Sequence, residues 1–158
     1  MRYTISIMVE NEFGVLSRVV GLFSGRGFNI ESLCVAETED PEISRITIVT
    51  EGNKQIIEQV LKQLNKLIPV LKVVDLTEHD TVDRELVLVK VKADNTTKPE
   101  LMRLIDIFRA KVVDASPRFY TIEMTGDEKK VKAFLQMLRP LGIKDIARTG
   151  KIAIVRGM

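Results

Sequence analysis

The run Asn11-Glu12-Phe13-Gly14-Val15-Leu16-Ser17 places an amide side chain, a glycine and a hydroxyl where the hydropathy period changes. Before it, Tyr3, Ile5, Ile7 and Val9 alternate with Thr4, Ser6, Met8 and Glu10, the two-residue period of a half-buried strand. After it, Val15, Leu16, Val19, Val20, Leu22 and Phe23 recur at three- and four-residue spacings, which predicts a helix from Val15 to about Gly25. A short strand-to-helix loop leaves the first helical N–H groups without partners and turned toward one region. Such a region favours an anion, for example the carboxylate of a small ligand.

Other residues with chemical potential have plainer readings. Cys34 is the single cysteine, so no disulfide or cysteine-based metal cluster forms within one chain, and it reads as a small buried hydrophobe on a strand. His79, the only histidine, falls in a polar run without a neighbouring ligand and reads as a solvated linker residue. Glu37, Glu39, Asp40 and Glu42 crowd a hairpin loop, where solvated charge explains them better than acid/base catalysis or a metal cage. Gly21 to Gly27 sits at a helix end, where it cannot cradle a phosphate as a helix-opening loop does. The predicted catalytic and metal-binding residues are therefore none.

The elements that position the loop follow in order. Ser24 to Gly27 stops the first helix, Asn29–Thr38 is a second strand, and Glu37 to Glu42 is a proline-containing hairpin loop. Ser44–Glu51 is the third strand. Lys54 to about Leu67 is a helix with one apolar stripe of Ile56, Ile57, Val60, Leu61, Leu64, Leu67 and Ile68, ended by Pro69, and Val70–Thr77 is a fourth strand. The polar run from Glu78 interrupts the pattern, and residues 79–83 are placed as a linker. The order then repeats: strand Arg84–Ala93, helix Pro99–Phe108, hairpin strands Lys111–Ala115 and Phe119–Thr125, a helix beginning at Asp127, and strands Ile143–Thr149 and Lys151–Val155. The fold class is α+β: two ferredoxin-like β-α-β-β-α-β domains, residues 1–78 and 84–158, each a four-stranded antiparallel sheet with two helices on one face.

Composition narrows the class of function. No apolar run approaches the roughly 18 residues of a membrane span, and no basic flank with an apolar segment opens the chain, so the expected location is the cytoplasm. The net charge of +2 divides unevenly, with 8 basic against 12 acidic residues in Met1–Asp80 and 16 against 10 in Thr81–Met158. That split suggests different neighbours for the halves or a contact between them, or merely uneven solvated surfaces. RNA-binding sheets of this topology display aromatic residues, whereas Ser44–Glu51 has none and the chain has no Trp, so no nucleic-acid partner is expected.

Residues 9–19, Val9-Glu10-Asn11-Glu12-Phe13-Gly14-Val15-Leu16-Ser17-Arg18-Val19, are followed by Gly25-Arg26-Gly27-Phe28-Asn29-Ile30-Glu31-Ser32-Leu33, then Asp40-Pro41 and Ser44-Arg45. This pattern resembles the ACT domain of the regulatory small subunits of acetolactate synthase, also called acetohydroxyacid synthase. The resemblance extends across the chain, including Leu86 to Val91, and is weaker after Asp94. It implies a non-catalytic subunit that activates a separate large subunit and confers valine feedback inhibition in branched-chain amino-acid biosynthesis. Thiamine diphosphate, Mg²⁺ and FAD would then belong to the large subunit, with none in this chain. The family's valine contacts map by position to Asn11, Gly14, Val15, Leu16 and Ser17 of one chain and to Asn29 and Ile30 of its partner in a homodimer joined through the ACT domains.

The physical reading of these residues is compatible with that. A zwitterionic amino acid could take its carboxylate donors from the Gly14–Leu16 amides, its ammonium acceptors from Asn11 or Asn29, and its apolar contact from Leu16, Ile30 or Val35. Asn11 forming an Asx turn, Gly14 giving a tight turn its freedom and Ser17 bonding its own helix remain the structural alternatives. A free-standing ACT-type amino-acid sensor acting on another protein or on DNA is the competing function.

Overall fold

The computed structural model describes residues 1–157, and the chain divides into two compact units. The first contains β1 (Arg2–Glu10), α1 (Val15–Gly25), β2 (Asn29–Glu37), β3 (Ile43–Glu51), α2 (Lys54–Lys66) and β4 (Val70–Asp75). Its antiparallel sheet runs β2-β3-β1-β4, leaving β2 and β4 at the edges. Tyr3, Ile5, Ile7 and Val9 are buried as the alternation predicts. They pack with Ile46 and Ile48 of β3, Val15, Val19 and Phe23 of α1, and Ile57, Val60 and Leu64 of α2. Each such side chain contributes about 1.5–3 kcal/mol relative to exposure.

The stripe predicted for α2 is too wide. Ile57, Val60 and Leu64 are buried, but Ile56 is 37% exposed and Ile68 is 90% exposed. The helix ends at Lys66 and Leu67 turns extended, so Ile68 no longer follows the helical period. Asn53 caps the start of α2, its side-chain oxygen accepting from the Gln55 amide at 2.7 Å. Cys34 is only partly buried, because β2 is an edge strand with its remaining side uncovered.

The second unit contains β5 (Thr81–Lys92), α3 (Lys98–Phe108), β6 (Lys111–Ala115), β7 (Phe119–Gly126), α4 (Glu128–Leu138), a 3-10 turn (Arg139–Leu141) and β8 (Ile143–Arg148). The path β6-β7-β5-β8 repeats the first topology, and β9 (Ile152–Val155) adds a fifth strand by pairing with β5. The terminal strand expected at Lys151–Val155 is thus present as β9, beyond the four strands expected of the sheet. Val131, Phe134, Leu135 and Leu138 of α4 and Leu101, Leu104 and Ile105 of α3 fill the core, while Met102 faces out at 43% exposure. Asp127 is the cap of α4, accepting from the Lys130 amide at 2.9 Å. Strand β5 begins at Thr81, inside the expected linker, and the compact units divide at Val82/Asp83 with the chain from Lys151 onward grouped with the first.

Candidate functional site

The β1–α1 loop holds Gly14 in the left-handed region at φ 82°, immediately before α1. A β-carbon there would meet nothing within 4 Å, so backbone conformation alone favours glycine. No side chain caps the helix. The first helical bond runs from the Arg18 amide to the Gly14 carbonyl at 3.2 Å, and the Val15 amide reaches Glu12 O only at 3.5 Å. The amides of Gly14, Leu16 and Ser17 have no hydrogen-bond acceptor among the described residues. Three donors therefore remain for an anion at one helix start, within about a turn of backbone.

Asn11 does not form an Asx turn. Its amide Nδ2 donates to Glu37 Oε1 at 3.2 Å and to the Pro41 carbonyl at 3.0 Å, while its backbone N–H donates to Glu42 O at 2.7 Å. The loop is thereby tied to the end of β2 and to the β2–β3 hairpin. With both side-chain donors directed there, the Asn11 Oδ1 acceptor is left over for a ligand ammonium. Glu37 is the functional neighbour that sequence reasoning assigned to a solvated hairpin, and no local pattern could link it to a residue 26 positions earlier.

The other predicted residues separate into distinct roles. Val15 is buried at 4% exposure in the first core, so only its backbone is available, whereas Leu16 is 37% exposed beside the open amides. The Ser17 hydroxyl makes no hydrogen bond within the described residues and is exposed. Asn29 pairs with Glu51 and Ile30 with Thr50, at the end of the sheet opposite Asn11. The eight residue steps between Ile43 and Glu51 correspond to about 27 Å of strand. One chain therefore brings Asn11 together with Gly14, Val15, Leu16 and Ser17, but not with Asn29 or Ile30.

Asn11 also lines an open cavity of about 520 Å³, together with Glu10, Glu12, Asp40, Glu42 and Leu71 among others. The Glu10 carboxyl is held above its ordinary value by a hydrogen bond with Glu12 and by that neighbour's charge. No group of His, Cys, Asp and Glu among the described residues could hold a metal ion.

The family model described as an acetohydroxyacid synthase (AHAS) small subunit-like ACT domain matches residues 5–72, and the model described as the small subunit of acetolactate synthase matches residues 84–157. The chain belongs to the acetolactate synthase small-subunit family. A probable acetolactate synthase small subunit from Archaeoglobus fulgidus is 54% identical over 157 residues, covering 99% of this chain and 98% of its own. The acetolactate synthase small subunit of Haemophilus influenzae is 50% identical over 158 residues, covering 99% and 97%. The crystal structure of the acetolactate synthase small subunit from Thermotoga maritima superposes with a TM-score of 0.88 at 40% identity, covering 100% of this chain and 99% of that one. These matches bear out the resemblance and both ferredoxin-like units. No helix among the described residues is long and apolar enough to cross a membrane.

Proposed function

We propose that valine binds at the β1–α1 loop of a homodimer and that its occupancy controls an acetolactate synthase large subunit. As a member of the small-subunit family, the chain is a regulatory and non-catalytic component of that enzyme. In this reading it works in the cytoplasm. Thiamine diphosphate, Mg²⁺ and FAD are carried by the large subunit, whose activity the small subunit raises and whose feedback inhibition it confers.

The observation that carries the valine site is the set of open amides at Gly14, Leu16 and Ser17 beside the Asn11 carbonyl. They offer donors for a carboxylate and an acceptor for an ammonium, with the partly exposed Leu16 as apolar wall. The edge strand β2 supports the dimer. It carries Ile30, Leu33 and Val35, and its outer side has no partner among the described strands. Pairing two copies antiparallel about Leu33 sets the partner's Asn29 opposite Glu37 and the partner's Ile30 opposite Ala36. Glu37 is the residue that Asn11 touches. The two groups that one chain holds about 27 Å apart would thus be joined by a two-fold axis.

The free-standing sensor is not favoured, because the matches to small subunits extend over both units. Reconstitution decides between them. Mixing the chain with a purified acetolactate synthase large subunit should raise its rate and make it valine-sensitive. An unchanged rate and valine response would move the function to a sensor of another target.

A further inference from the structure

A second cavity lies in the first unit at the other end of β1, with a volume of about 290 Å³. Tyr3, Lys54, Glu58, Asp75, Glu78 and His79 all line it. Helix α2 supplies Lys54 and Glu58 from adjacent turns, and the end of β4 with its following turn supplies the rest. The ion pairs of this unit, Arg2–Glu31 at 2.9 Å and Arg156–Asp80 at 3.3 Å, involve none of these side chains. Lys54, Glu58 and Glu78 make no ion pair or side-chain hydrogen bond among the described residues, although Lys54 and Glu58 stand at the helical spacing that ordinarily favours contact. Asp75 uses one oxygen, Oδ1, to accept from the Thr77 amide at 3.0 Å and from its hydroxyl at 2.5 Å.

The buried polar atoms point to the same place. Tyr3 is 4% exposed, and its hydroxyl is the one buried side-chain polar atom among the described residues with no hydrogen-bond partner. Buried hydroxyls are nearly always satisfied, which leaves this one to an ordered water or to a ligand at the cavity. The volume lies at the small end of ordinary ligand pockets, about 300–1,000 Å³, and so fits a molecule of amino-acid size. Three carboxylates line the cavity with the Lys54 ammonium and Met1, an imbalance that a ligand with one carboxylate and two cationic groups would reduce.

We propose that this cavity is a second effector site, binding a basic α-amino acid. The ligand carboxylate is received by Lys54, and its two cationic groups by Glu58, Glu78 and the free oxygen of Asp75. The Tyr3 hydroxyl gains its missing partner on the ligand. The cavity shares no residue with the Asn11 loop, so this site is independent of the valine reading.

The chain has no Trp and two Tyr, so Tyr120→Phe leaves Tyr3 as its sole strong intrinsic fluorophore. L-Lysine titrated into that full-length variant should change the emission saturably. Half-saturation should rise about tenfold or more when Glu58→Gln and Glu78→Gln are added, and about as much for L-norleucine, which lacks the distal cation. Calorimetry on Tyr3→Phe in the natural background should show weakened lysine binding with the fold intact. The absence of saturable change up to about 10 mM lysine, an unaltered response in the double variant, or equal responses to lysine and norleucine would each overturn the assignment. Asn11→Ala should leave the lysine response unchanged while weakening that to valine, so the two sites fail or succeed separately.

Discussion

Under the proposed valine site, Gly14 would serve two purposes that substitution can separate. Its φ of 82° is costly for a side chain, about 1–3 kcal/mol in general and less for Asp, which tolerates this region. The space around it is open, so Gly14→Asp should fold. A new carboxylate beside the open amides would repel a bound carboxylate by roughly 4 kcal/mol at 4 Å and an effective dielectric of 20, reduced by solvent at this exposed position. Even about 1.4 kcal/mol weakens binding tenfold. The variant should still activate the large subunit but require at least that much more valine for half-inhibition. Unchanged valine inhibition in a reconstituted assay would remove the ligand from this loop. The geometry of the candidate loop was legible at this scale because helix-start amides follow from the change of period at Val15. The Asn11–Glu37 bond was not, since it joins segments that only the sheet register brings together.

Elements were legible wherever apolar spacing met a definite stop. Strand β1 buries the face that its period marks, and α1 buries Val15, Val19 and Phe23 of its stripe while leaving Leu16 exposed. Ile68 broke the pattern because an apolar residue at a helix end satisfies periodicity without reaching the core. Close packing at Gly52 was equally invisible in the sequence. A β-carbon there would stand 1.6 Å from the ring of Phe28, a core residue 6% exposed. Gly52→Ala should therefore displace the ring and lower stability by about 1–3 kcal/mol, read as a fall in the denaturant midpoint. In the second unit, the Asp94 carboxylate is held below its ordinary value chiefly by the Thr97 amide at 2.9 Å, and by the Thr96 amide, and it fixes the turn between β5 and α3. The stabilisation is fully present above the ordinary carboxylate value and is lost as pH falls through the lowered native one. Stability curves of the wild type and Asp94→Ala should accordingly differ at neutral pH and converge in acid.

The whole molecule carries two cores with the same strand path, and the repeated element order made that division readable without any repeated residues. The polarity of Glu78–Asp83 conceals the start of β5 at Thr81, inside the stretch read as a linker. The proposed homodimer would form along the uncovered strand β2, where Val35 is 42% exposed. Val35→Lys would add a charge on each side of the proposed two-fold axis and should shift light scattering toward the monomer. A dimeric variant of unchanged mass would place the association elsewhere. The Asn11–Glu37 bond also gives the ligand loop and this edge a common anchor. If valine binding and pairing along β2 are coupled as proposed, the coupling is reciprocal, so any stabilisation valine lent to the dimer would be returned as affinity for valine. Dilution would then act as an antagonist. Below the concentration at which the chains associate, valine would lose its hold with no competitor present and no residue altered.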